Sequence, residues 1–135
     1  MMKRVHSTSP RLTPSLVLEV FDLPITFHRC LVRVTGSVTA ALMLSQAMAW
    51  TEDLASEVEG WFMRSQGDWA EETGLSRWEQ ETARRVLRNC GLLEERKMGM
   101  PARLWFRVNR QRLGAALREL SEQREKSRIS SAERP

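Results

Sequence analysis

The chain has 135 residues, 41% apolar and 28% charged, which suits one compact domain and hardly two. No apolar run approaches the ~18 residues a membrane span needs, and Met1-Met2-Lys3-Arg4 lacks the apolar core of a secretory signal. The net charge of +4 hides a polarity: residues 41–75 carry one basic and seven acidic groups, residues 76–112 ten basic and four acidic. Such a division favours a polyanionic partner on one side, the plainer alternative being a set of solvated helix faces. Cys30 and Cys90 fit no metal spacing and read as reduced, buried thiols of a cytoplasmic protein.

Residues 1–15 are rich in Ser, Thr, Pro and Arg without a period, and residues 1–23 are expected to form a flexible arm. Phe27, Cys30, Leu31 and Val34 then fall at helical spacing after Pro24, although Val32 and Val34 also suit a strand. Ser37 is placed to cap a second helix running through Trp50. Its nearly all-round apolar interior belongs at the centre of a core. An acidic loop to Gly60 and a short strand at Trp61-Phe62-Met63 follow. Residues 67–73 read as a two-turn helix stopped by Gly74. Ser76-Arg77-Trp78-Glu79 is a capping box opening the next helix, which should run to Cys90 and stop at Gly91.

Residues 92–97 and 103–109 form a hairpin around Gly99 and Pro101, with Leu104, Phe106 and Val108 alternating against Arg103, Trp105, Arg107 and Asn109. A last helix is expected over 113–126, or from about 110, and a loose tail over 127–135. Its stripe of Leu113, Ala116, Leu117 and Leu120 serves either dimerisation or the domain's own core. The expected fold class is therefore mainly α with a small β-hairpin wing. Helix, short strand, short helix, tight turn, basic helix and hairpin follow in the order of a winged helix-turn-helix over 24–112, in which the second helix of the motif enters a DNA major groove.

At about 100° per residue, Ala83, Val86, Leu87 and Cys90 face the core from that second helix. Arg77, Trp78, Glu81, Arg85 and Arg88 face outward, with Gln80 and Arg84 on the flanks. Arg77, Trp78, Gln80 and Glu81 lie in its first turns and are the expected base readers, since arginine suits guanine and glutamine adenine. Arg84, Arg85 and Arg88, with Arg96, Lys97 and Arg103 of the hairpin, are expected on the DNA backbone. The alternative is a solvated helix face with Glu81 and Arg85 paired at i, i+4. Trp50, Trp61 and Trp69 read as core, whereas Trp78 and Trp105 suit the surface, against DNA or a dimer interface.

The stretches Thr35-Gly36-Ser37 to Trp50, Gly60-Trp61-Phe62, Glu72-Thr73-Gly74-Leu75-Ser76-Arg77, Gln80-Glu81-Thr82-Ala83-Arg84 and Gly99 to Val108 resemble winged-helix domains of phage and plasmid replication proteins. The resemblance covers about residues 24–113. It implies binding to origin or operator double-stranded DNA in a bacterial cell or phage-infected host, with replication or transcription proteins as further partners. Such replication proteins often carry a further domain, and this chain has one more helix after the hairpin, which favours a small regulator. No P-loop, dinucleotide fingerprint, metal-ligand spacing around His6 or His28, or catalytic constellation stands in the sequence, so neither cofactor nor enzymatic activity is expected. The rival expectation is a winged-helix protein-interaction module without DNA-binding activity, supported by the acidic block and the tryptophans.

Overall fold

Local capping signals set the element boundaries in the computed structural model, which describes residues 11–52 and 59–133. Helix α1 (Pro14–Val20) begins where the Thr13 hydroxyl accepts the Leu16 N–H at 3.2 Å, with Pro14 in the first turn. Helix α2 (Cys30–Thr35) ends at Gly36 in the left-handed conformation. Helix α3 (Val38–Glu52) starts at Ser37, whose hydroxyl accepts the Ala40 N–H at 3.2 Å. After strand β1 (Phe62–Met63), helices α4 (Gln66–Thr73) and α5 (Arg77–Cys90) each open on a reciprocal capping box. In the first, Ser65 and Asp68 exchange bonds of 2.8 and 3.1 Å; in the second, Ser76 and Glu79 exchange bonds of 3.0 and 3.2 Å. Strands β2 (Leu93–Met98) and β3 (Arg103–Val108) form the hairpin, and Asn109 caps the final helix α6 (Arg110–Ala132).

The described residues are thus mainly helical, with one three-stranded antiparallel sheet in the order β1-β3-β2. Phe62 pairs with Phe106, and Glu95 lies across from the same Phe106, so these three share the sheet face turned to the helices. Helix α3 runs through the core. Its Ala40, Ala41 and Ala47 are fully buried and small enough to let α5 pack closely through Ala83 and Leu87. Two polar groups inside α3 are satisfied locally: the Ser45 and Thr51 hydroxyls each donate to the carbonyl four residues back, at 2.7 Å. No helix among the described residues is long and apolar enough to cross a membrane.

Four expectations need correction. The arm is not without structure, because residues 14–20 are helical; residues 1–10 lie outside the described ones, as do 53–58 of the acidic loop. The first core helix begins at Cys30, leaving Phe27 exposed. Helix α6 extends to Ala132, so most of the expected tail is helix, carried by polar side chains and local pairs such as Glu125 with Arg128 rather than by packing. Trp61 and both cysteines are half-buried rather than core.

The stop of α5 yields a paired test. Gly91 has φ +71°, and an added Cβ would lie 3.0 Å from the Arg112 side chain. Gly91→Ala should cost about 1–2 kcal/mol in urea unfolding through the left-handed penalty. Gly67→Ala in α4, with its nearest neighbour 3.7 Å away, should instead stabilise by up to about 1 kcal/mol. The capping boxes yield another. The backbone N–H and hydroxyl of Ser65 hold Asp68 below the ordinary carboxylate range, and those of Ser76 do the same for Glu79. Because these values are lowered on folding, the stabilisation is full above the ordinary carboxylate range and is lost as pH falls below it through the lowered values. The acid sensitivity of amide exchange at the start of α5 should diminish in Glu79→Gln.

Candidate nucleic-acid interface

Gly74 and the two capping boxes hold α4 and α5 a single tight turn apart. The residue that locks this turn is Gln80. Its side chain is 3% exposed, and Nε2 donates to the Gln66 carbonyl at 3.1 Å and to the Leu75 carbonyl at 3.0 Å. Both amide protons are thereby committed, so Gln80 is a brace between the helices and not a base reader. Its place on the flank of α5, next to the buried face, is what turns it inward.

The next turn of α5 is tied to the hairpin. Glu95 of β2, with its side chain only 8% exposed, accepts from Arg84 Nε at 2.9 Å and from Arg84 Nη2. Its other oxygen accepts from Arg88 Nη1 at 2.8 Å. Arg84 also stands 5.8 Å from the Phe106 ring. Arg84 and Arg88 therefore fix the hairpin against α5, and neither is the free phosphate contact expected of it. On the outer sheet face, Arg107 is bound to Glu94 at 2.7 Å. Arg107 and Arg96 lie over the Trp61 ring at 4.6 and 5.4 Å. Strand alternation puts Arg96 with Trp105 on this outer face, whereas Lys97 lies across from Leu104 on the other. Arg96 and Lys97 thus point to opposite faces of the sheet.

A cleft of about 370 Å³ opens between the first turns of α5, the start of α4 and the ends of β1 and β3. Arg64, Arg77, Arg84 and Arg103 line it, against the single acid Glu81. Arg64 was not foreseen. It stands between β1 and α4, outside any periodic pattern, and is held 4.5 Å over the Trp50 ring with Nη1 donating to the Met63 carbonyl at 2.8 Å. Beside the cleft, the outward face of α5 presents Arg77, Trp78, Glu81 and Arg85. Trp78 is 74% exposed, and Arg77 meets Glu81 only in a solvated pair at 3.5 Å. Arg85 enters no ion pair among the described residues. Lys97 and Arg103 are likewise exposed.

The α6 stripe is occupied by the chain itself. Leu113 belongs to the core with Leu117 packed on it, Leu120 is buried, and Ala116 is half-buried. These four side chains mainly cover the domain's own apolar face, so the stripe is not a continuous helix-to-helix dimer surface, and only the edge of Ala116 borders the seam with α2. Family models, curated proteins and solved structures were compared with the chain, and none matches it.

The Glu95 fork makes an unusual prediction about the interface. Glu95→Gln should cost about 1–3 kcal/mol of stability, since two arginines lose a charged, hydrogen-bonded acceptor. It should also release Arg84 and Arg88, so the folded variant should hold polyanions such as heparin more tightly than the parent chain in salt elution.

Proposed function

We propose that the chain is a sequence-specific double-stranded DNA-binding protein built as a winged helix-turn-helix, with α4 and α5 as the paired helices and the β2–β3 hairpin as the wing. The observation that carries this reading is the arginine-lined cleft beside an uncommitted outward face at the start of α5. A protein partner would more often be met by an apolar centre with a polar rim, whereas this surface is charged at its centre.

In this reading the first turns of α5 enter a major groove. Arg77 reaches a guanine by a bidentate contact, and releasing its exposed partner Glu81 costs no more than about 0.5 kcal/mol. Glu81 can accept from a cytosine amino group, and Trp78 offers apolar contact to a thymine methyl or a sugar. Arg64, Arg85, Lys97 and Arg103 take phosphates, which fix register without reading sequence. The process makes and breaks no covalent bond and calls for no cofactor. Regulation of transcription or initiation of replication on a phage, plasmid or other mobile element is the role in keeping with the resemblance of residues 24–113.

Binding measured across a salt series tests the reading. The logarithm of affinity should fall steeply and linearly with the logarithm of salt, and Lys97→Ala and Arg103→Ala should each reduce the slope by about one. Arg77→Ala should cost about 1–3 kcal/mol on a site selected from random DNA and relax preference at one or two base pairs. Gln80→Ala should lower stability while leaving that preference unchanged. Affinity indifferent to salt would reject DNA as the partner. An unchanged preference in Arg77→Ala would reject the orientation of α5.

A further inference from the structure

The large apolar side chains left in solvent are concentrated in one short segment. Leu12, Leu18, Val20, Phe21 and Leu23, in and around α1, are 61–91% exposed. The charges of residues 12–23 are Glu19 and Asp22, both negative. Five such side chains standing free in water forgo about 1.5–3 kcal/mol each, which marks the segment as one that docks.

A groove of matching character begins where the segment joins the body. Three adjoining depressions of about 380, 180 and 270 Å³ follow the seam between α2 and α6, the first two sharing Arg33 and the last two sharing Val34, Ala116 and Glu119. Their floor includes the half-buried Val34 and Ala116 above the buried Leu120. Arg29, Arg33, Arg112 and Arg124 rim them against the one acid Glu119. An apolar segment with two acids thus has a counterpart in a partly apolar groove with basic edges. The groove shares no lining residue with the arginine cleft.

We propose that two copies of this chain exchange these segments, the α1 arm of each lying in the α2–α6 groove of the other. Three considerations favour a second copy over the chain's own arm. Nine residues connect α1 to α2, so the arm is permanently concentrated at its own groove and nevertheless stands off it. The connection is also pinned to α3, where the His28 N–H donates to the Ser45 hydroxyl at 3.1 Å, which fixes the point of departure. Mutual exchange, finally, is isologous: each copy gives one arm and one groove, and a two-fold axis closes the assembly. Ten apolar side chains from two arms remove on the order of 600–1,200 Å² from water, and the basic rims of the two grooves add charge complementarity to the two acids of each arm.

Sedimentation equilibrium of the full chain at micromolar concentrations tests the exchange and is independent of DNA binding. The expected result is a reversible monomer–dimer equilibrium that Leu18→Asp with Phe21→Asp abolishes. Circular dichroism and the melting temperature of that variant should match the parent, because both side chains are exposed. Glu19→Arg with Asp22→Arg, or Arg29→Glu with Arg33→Glu, should each raise the dimer dissociation constant at least about tenfold. All four reversals in one chain should restore it. A monomer at every concentration would overturn the proposal, whether hydrogen exchange finds residues 12–23 protected in their own groove or open to solvent. A dimer that persists in Leu18→Asp with Phe21→Asp would also overturn it, by placing the interface elsewhere.

Discussion

Trp69 joins the helical part of the molecule to its sheet, and the geometry of the arginine cleft follows from where it lies. Its side chain, 1% exposed, meets Trp50 of α3 at 4.6 Å, Phe106 of β3 at 5.4 Å and Phe62 of β1 at 6.2 Å between ring centres. Each aromatic pair adds about 0.5–1.5 kcal/mol beyond the area it buries. Against this stands one cost: the indole N–H has no acceptor among the described residues, a loss of about 1–3 kcal/mol. Three ring pairs and the burial of a whole indole outweigh it. Because the ring comes from α4, the short helix cannot shift without disturbing α3 and two strands, and so it serves as a rigid base for α5.

On that base, polar contacts complete the placement. Gln80 joins α5 to the start of α4 and to the turn between them, while Glu95 joins α5 to β2. Hydrophobic packing fixes which elements touch but tolerates small slides between them, whereas a fork of directed hydrogen bonds on a nearly buried carboxylate does not. The hairpin is therefore oriented by α5 itself. The distance from the outward face of α5 to Lys97 and Arg103 is thus set within the chain itself, the condition under which a surface made of two elements loses least to ordering when it binds.

Most of the fold was legible because its boundaries are local. Ser37, Ser76, Gly74 and Gly91 act within three or four residues of themselves, and β3 alternates strictly. The Ser65–Asp68 box was equally local and has the same spacing, with Asp in place of Glu. Thr13-Pro14 was the corresponding signal for α1, hidden because the segment after it has no core to face. The last turns of α6, beyond the expected end at residue 126, were missed for the same reason: residues 127–132 are exposed all round, and an apolar stripe cannot reveal a helix that buries nothing. The candidate site was less legible. The angular position of each residue on α5 was readable, but Arg84 and Arg88 are engaged by a carboxylate 11 and 7 residues away, on another element. Arg64 enters the cleft only once β1 and α4 are assembled.

The charge of residues 76–112 consequently has two components that sequence counting merges. Glu94 holds Arg107, Glu95 holds Arg84 and Arg88, and Glu79 is spent on the start of α5, so its acids serve the architecture almost entirely. The Arg107–Glu94 pair cancels at distances beyond the Debye length of about 8 Å at physiological salt, and Glu95 cancels one of the two charges of Arg84 and Arg88. The rest of the positive excess is carried by side chains with weak or no ion pair among the described residues: Arg77, Arg85, Arg96, Lys97 and Arg103 on α5 and the hairpin, and Arg110 and Arg112 at the start of α6. Arg77 and Arg103 line the cleft itself, and Lys97 lies across from Leu104 on its wall. Most of the unpaired charge therefore lies on the outward face of α5 and on the β2–β3 hairpin, which gives a modest net charge of +4 a definite direction.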